Sequence, residues 1–162
     1  MSTELSIVYA YDRVAELRRL FGDYTRLLVE SQPGFDYYLE LQKYDDEYLN
    51  PGEKYALPDG RLFLALWKGE PVGCIALRRF DAESCEMKRL YVRPEYRGRG
   101  IGETLVKKLI AEAGEMGYRR MLLDTLLVLA EAMRLYERLG FRQSPPHLES
   151  PVSETVFMSL EL

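Results

Sequence analysis

Histidine and cysteine are nearly missing from this chain, with one histidine and two cysteines in 162 residues. Cys74 and Cys85 lack metal-ligand spacing and fit reduced thiols on neighbouring strands better than a disulfide staple. His147, the one histidine, sits in a proline-rich loop and reads as a surface residue rather than a catalyst, and no metal is expected. Positive charge is also short. Twenty-two Lys and Arg against 26 Asp and Glu give a formal net charge of −4 and a pI near 5.2. That balance argues against a general nucleic-acid binder or a binder of anionic membranes. No stretch approaches the ~20 apolar residues of a transmembrane helix. Met1-Ser2-Thr3-Glu4 has neither the basic start nor the apolar run of a signal peptide, so a cytoplasmic protein is expected. Internal repeats, low-complexity tracts and dividing linkers are absent too, and residues 1–162 read as one domain with room for a real core.

What is present concentrates at Tyr96-Arg97-Gly98-Arg99-Gly100-Ile101-Gly102. This stretch follows the β-branched, aromatic run Leu90-Tyr91-Val92 and precedes an amphipathic pattern, so it reads as a strand-to-helix turn. Glycines at alternate positions free the backbone to adopt positive φ and to aim several N–H groups at one anion, at the positive end of a helix dipole. Arg93, Arg97 and Arg99 add cationic charge in an otherwise acidic chain. A Walker loop would need Lys-Ser/Thr after the last glycine, where Glu103-Thr104 stand. A dinucleotide fold would want its third glycine one place later and a parallel unit before it; Asp124, about 20 residues on, is the only feature that suits it.

The pattern along the chain predicts a mixed fold. Leu5 to Tyr9 reads as a strand. Tyr11 to Glu30 reads as a helix with Asp12 as N-cap, stopped at Gln32-Pro33-Gly34. Asp36 to Leu49 reads as one further helix with Tyr37, Leu41, Tyr44 and Tyr48 on a stripe and its acids mostly off it, ended by Pro51-Gly52. After the turn Pro58-Asp59-Gly60, strands Arg61–Trp67, Pro71–Phe80 and Cys85–Val92 form an antiparallel meander, joined by Lys68-Gly69-Glu70 and Asp81-Ala82-Glu83-Ser84. Trp67 looks like strand core. In the third strand the apolar phase slips from Cys85 and Met87 to Leu90 and Val92. A bulge near Lys88-Arg89 explains the slip and would splay this strand from its neighbour. Helix Glu103–Met116 with Gly117 as its cap, strand Arg120–Asp124, helix Ala130–Leu139 stopped by Gly140, a strand starting at Phe141-Arg142, the loop Ser144-Pro145-Pro146 and strand Val156–Leu162 complete the order.

Three segments together resemble one family. Arg97 to Gly102 matches the Arg/Gln-x-x-Gly-x-Gly/Ala signature of the GNAT superfamily of N-acetyltransferases. Glu86-Met87-Lys88-Arg89-Leu90-Tyr91-Val92-Arg93-Pro94 looks like the strand that leads into that loop. Ala132 to Phe141 resembles the family's Ala-x-x-Leu-Tyr-x-x-x-Gly-Phe segment. The resemblance is specific from about Gly73 to Phe141. It implies an α/β (strictly α+β) fold with a mixed, mostly antiparallel central sheet and helices on both faces.

It also implies an enzyme that moves an acetyl group from acetyl-CoA to a primary amine of a small molecule or peptide by direct attack. The alternative is a CoA-binding regulatory module without turnover. Backbone amides of Arg97, Gly98, Arg99, Gly100, Ile101 and Gly102, with Glu103 and Thr104, would cradle the pyrophosphate. Leu90, Tyr91 and Val92 would offer main-chain groups to the pantetheine arm, and a backbone N–H of this strand would polarise the thioester carbonyl. The resemblance makes Glu86 the general base, against the alternative of a strand-surface glutamate paired with Lys88 or Arg78. It makes Tyr136 the general acid for the thiolate, although the same tyrosine lies on the buried stripe of its helix. Many relatives carry an asparagine where this chain has Leu129, within the apolar run Leu126 to Leu129, and no cofactor contact is expected from that edge. The acidic, tyrosine-rich Asp36–Leu49 segment would either grip a cationic acceptor or be a solvated face. The partners expected are acetyl-CoA and an amine acceptor, with no nucleic acid and no membrane; a homodimer is compatible with the sequence.

Overall fold

The structure is a computed structural model, and it describes residues 4–162; Met1 to Thr3, where the leader expectation falls, lie outside the described residues. In chain order the elements are β1 (Leu5–Tyr9), α1 (Val14–Ser31), α2 (Phe35–Leu41), α3 (Tyr44–Leu49), α4 (Pro51–Lys54), β2 (Arg61–Trp67), β3 (Glu70–Arg79) and β4 (Ser84–Val92). A 3-10 turn (Pro94–Tyr96), α5 (Ile101–Glu115), β5 (Arg120–Leu126), α6 (Ala130–Arg138), β6 (Arg142–Gln143) and β7 (Thr155–Glu161) follow. The strands form a seven-stranded sheet in the order β1-β2-β3-β4-β5-β7-β6. Every pairing is antiparallel except that of β4 with β5. Among the described residues no helix is long and apolar enough to cross a membrane.

Helices cover both faces of the sheet. Along β2 successive side chains alternate between them, and its continuous run Leu62-Phe63-Leu64-Ala65-Leu66 is buried throughout, as a strand with two covered faces requires. Phe63 and Ala65 pack with Leu105, Val106 and Leu109 of α5. Leu62, Leu64 and Leu66 pack with Leu17, Leu20 and Phe21 of α1. At the β2–β3 hairpin Trp67 pairs with Glu70, so the loop is the two residues Lys68 and Gly69, both at positive φ (50° and 86°). Positive φ at both central residues matches the twist of the flanking strands.

The strand expectations hold to within a few residues, and the α1 region differs mainly at its start. Arg13, not Asp12, is the N-cap, and it makes no side-chain capping bond. The larger correction concerns 36–49. Instead of one helix there are two, α2 and α3, broken at Lys43, whose φ of 56° is left-handed. The expected stripe dissolves with it: Tyr37 and Leu41 are exposed, while Phe35, Tyr38 and Leu39 are buried. Pro51 opens a short helix rather than closing a long one. The break turns Glu47 inward, away from the solvent expected for it, to meet Arg89 on β4. That ion pair spans 42 positions, and no local periodicity carries a trace of it.

Candidate active site

The bulge expected near Lys88-Arg89 lies at Arg89. Ala76 pairs with Lys88 and Cys74 with Tyr91, so Ile75 stands opposite two residues of β4, and Arg89 has a φ of 62°. The phase flip follows: Met87 faces the α5 side, Tyr91 the α1 side, and Leu90 and Val92 pack with the α5 cluster again. A left-handed non-glycine residue costs about 1–2 kcal/mol. Arg89 is fixed there by a bidentate pair, Nε to Glu47 Oε2 at 2.7 Å and Nη2 to Glu47 Oε1 at 2.9 Å. Beyond the bulge the sheet forks. β4 and β5 pair only at Ser84–Arg120, Cys85–Met121 and Glu86–Leu122, and the two strands part after that.

The fork opens into a cleft of about 570 Å³. One wall is Leu90, Tyr91 and Val92 with Arg97, Gly98, Gly100, Ile101, Gly102 and Glu103. Gly98 and Gly100 have φ of 81° and 78°, and a Cβ on either would meet no atom within 4 Å, so both face open space. The N–H of Thr104 bonds to Gly100 O at 3.0 Å and closes the first turn of α5, leaving the amides before it without intrahelical acceptors. Two expected cradle residues do not line the cleft. The Arg99 guanidinium lies 4.9 Å from the Trp67 and Tyr96 ring centroids, and the Thr104 hydroxyl donates back to Gly100 O at 2.8 Å. Arg97 donates from Nε to Val92 O at 3.0 Å, occupying one main-chain acceptor of the expected pantetheine strand.

Apart from Tyr136, the opposite wall was not expected. Val128 to Ala132 and Arg134, Leu135, Tyr136 and Arg138 line it, with Tyr24 and Leu27 of α1 at one end. The edge given up because of Leu129 therefore belongs to the cleft. Its signal was in the sequence: Arg134 and Arg138 stand four apart on one helix face, and the preceding apolar run leaves Leu127 and Val128 exposed.

Where the strands part, a chamber of about 30 Å³ adjoins the cleft and shares Tyr24, Leu90, Leu129 and Tyr136 with it. Gln42, Lys88, Arg89, Asp124 and Thr125 are its polar lining. Tyr136 is buried at the boundary, and burial, then the charges at Tyr24 and Asp124, push its phenol well above the ordinary tyrosine range. Asp124 Oδ2 accepts from Tyr38 Oη at 2.8 Å. Tyr38 is likewise pushed up, first by burial and then by Asp124, and so stays a donor.

Glu86 is brought to the fork but not into it. Its side chain is fully buried, lines neither cavity, and meets Arg78 at 3.3 Å, Lys88 at 3.9 Å and His147 Nε2 at 3.2 Å. Burial alone would raise its pKa, but Lys88, the hydrogen bond from His147 and Arg78 hold it down at about 2. His147 corrects an expectation outright. Rather than standing out in solvent, its side chain is 8% exposed and packs edge-on to Phe80 and Phe157. Sequence distance hid this, since 61 positions separate His147 from Glu86. Glu86, Asp124 and His147 each bring a ligand atom within 4.8 Å of the others. A cation of the chain's own, the Lys88 ammonium, already lies 3.9 and 3.6 Å from the two carboxylates.

Known proteins resemble this chain over most of its length. The family model described as Acetyltransferase (GNAT) family matches residues 16–141. An uncharacterised N-acetyltransferase of Schizosaccharomyces pombe is 42% identical over 142 residues, covering 86% of this chain and 87% of that one. Among solved structures, the PaiA N-acetyltransferase of Thermoplasma acidophilum in complex with coenzyme A superposes with a TM-score of 0.75 at 19% identity, covering all of both chains. A GNAT family acetyltransferase from Elizabethkingia anophelis with acetyl-CoA bound gives 0.62 at 21% identity, covering 99% of this chain and 100% of that one.

Proposed function

The chain belongs to the acetyltransferase (GNAT) family, and from that premise we propose that it moves an acetyl group from acetyl-CoA to a primary amine of a small molecule or peptide by direct attack. The observation that carries the reading is the open cleft at the β4–β5 fork, walled by a glycine turn whose two left-handed residues leave their Cβ positions free. Bare backbone at a helix N-terminus suits a pyrophosphate. The relatives solved with coenzyme A or acetyl-CoA support the choice of donor.

In this reading the amides of Gly98, Gly100, Ile101, Gly102 and Glu103 hold the phosphates, and Arg134 and Arg138 supply charge from the other wall. Main-chain groups of Leu90, Tyr91 and Val92 on the edge of β4 that β5 leaves at the fork, Val92 O excepted because Arg97 occupies it, align the pantetheine arm and bring the thioester to the chamber mouth. A preorganised N–H there stabilises the oxygen as charge builds on it. The amine nitrogen bonds to the carbonyl carbon, the carbon–sulfur bond breaks, the nitrogen gives up a proton and the sulfur gains one. Tyr136, at the boundary of cleft and chamber and protonated through the working pH range, is the donor for the sulfur.

Glu86 serves this chemistry from behind. A carboxylate held near 2 and closed off by three cationic or hydrogen-bonding partners is a weak base, and its contacts suit it to holding Lys88 and His147 in place.

Calorimetry with acetyl-CoA, followed by thiol release on a panel of polyamines, amino acids, aminoglycosides and peptides, tests the proposal. Binding together with thiol release on at least one amine is expected. Binding with no release on any of them would favour a CoA-binding regulatory module, and no binding would remove the cradle.

A further inference from the structure

Two of the chamber's charged groups have bonding capacity that the described residues leave unused. The Lys88 side chain is 6% exposed, yet its ammonium makes one hydrogen bond, to Gln42 Oε1 at 3.0 Å. The nearest carboxylate oxygens, at 3.6 Å (Asp124 Oδ1) and 3.9 Å (Glu86 Oε2), lie beyond hydrogen-bond reach. A buried ammonium with three donors and one short contact is costly unless something else meets it. Asp124 is the counterpart. Tyr38 fixes its Oδ2, while among the described residues Oδ1 accepts no hydrogen bond. Both side chains line the same small chamber, next to Tyr136.

We infer that this chamber reads the head group of an amino acid, with Lys88 taking the acceptor's carboxylate and Asp124 Oδ1 taking the amine that attacks the thioester. The inference deepens, and rests on, the acetyl-transfer reading above.

Charge selects this class over its rivals. A polyamine or aminoglycoside would bring further cations toward Lys88 and Arg89, both on the chamber wall. A simple carboxylate would face Asp124. A zwitterionic head lays one charge of each sign against one of each sign, across a pair only 3.6 Å apart. At about 30 Å³ the chamber has room for one or two waters, so only the two charged ends of the head group reach in, in their place, and the rest of the acceptor stays in the adjoining cleft. The ammonium first gives one proton through Asp124 Oδ1 to solvent, which frees the lone pair that forms the N–C bond; the second nitrogen proton, lost as the C–S bond breaks, replaces the one that Tyr136 gives to the sulfur. Glu86, bonded to His147 and 3.9 Å from Lys88, keeps the ammonium over the chamber from the far side.

The test is a matched set: several α-amino acids, their carboxamides and the corresponding decarboxylated amines, with thiol release followed at saturating acetyl-CoA. For the wild type, kcat/KM for the free amino acids should exceed that for the other two series by about ten- to a hundredfold, the range of one hydrogen bond to a charged group. In Lys88→Gln that ratio should collapse toward one, and in Lys88→Arg most of it should return. Calorimetric binding of acetyl-CoA reports that each variant is folded. Turnover of amines or peptides without any preference for the carboxylate would overturn the inference and leave acetyl transfer standing. Absence of turnover on every acceptor, with acetyl-CoA bound, would overturn both. The wild-type panel alone suffices if the Lys88 variants fail to fold.

Discussion

Glu47 and Arg89 form a buried bidentate ion pair that joins α3 to the bulge of β4, with the arginine held in a left-handed conformation. Lys54 adds a second contact to Glu47 at 2.7 Å. Glu47→Gln leaves a buried guanidinium without its counter-charge, and breaking one side of such a pair typically costs about 3–5 kcal/mol. Chemical denaturation should show a loss of that order. A loss under about 1 kcal/mol would mean that the bulge is held by the strand ladder instead.

Acid should find the same weak point. Burial would raise the Glu47 pKa, but Arg89 and Lys54 lower it to about 2, and Glu86 is lowered to about 2 by Lys88, His147 and Arg78. Groups depressed on folding stabilise the native state above their unfolded values near 4.5. That contribution is lost as pH falls from about 4.5 toward 2. Stability measured across this interval should drop steeply in the wild type and less steeply in Glu47→Gln or Glu86→Gln.

Gly100 and Gly102 separate strain from access. Gly100→Ala should destabilise by about 1 kcal/mol or more, because an L residue is forced to φ 78°. Gly102→Ala should be neutral or stabilising, since it lies within α5, where alanine is favoured by about 1 kcal/mol, and its Cβ would have ordinary contacts at 3.7 and 3.8 Å. Both should weaken acetyl-CoA binding in calorimetry, because both line the cleft. Undiminished affinity in both folded variants would place the phosphates elsewhere.

Tyr136→Phe keeps the ring packed against Phe141 and removes the proton donor. The expected result is kcat lower by about a hundredfold or more with the acetyl-CoA dissociation constant unchanged. Because burial keeps the wild-type phenol protonated, its titration should contribute no alkaline limb to the rate below about pH 10. Equal kcat in the two proteins would leave Tyr136 a packing residue.

Much of this arrangement was legible in the chain. The meander, the glycine turn and the bulge all leave local marks: alternation, punctuation, and a phase slip at Arg89 that predicts a forked sheet. The far wall left a fainter one, in Arg134 and Arg138. What escaped was set by distance. Glu47 looks like a solvated helix acid and His147 like a loop residue until tertiary packing brings each against β4, 42 and 61 positions away. The break at Lys43 escaped for a related reason, since the helical period continues through it and only the burial of Glu47 requires the turn.

The three-residue limit of the β4–β5 pairing has a consequence for exchange with solvent. A parallel ladder that stops at Glu86 and Leu122 leaves those amides of Lys88 to Val92 that do not bond to β3, and those of Leu123 to Leu126 that do not bond to β7, without strand acceptors. Such amides trade their hydrogens by local fluctuation rather than by global unfolding. The centre of the sheet should thus hold a seam of fast deuterium uptake between two slow strands. Acetyl-CoA, lying along that seam, should close it as a missing strand would.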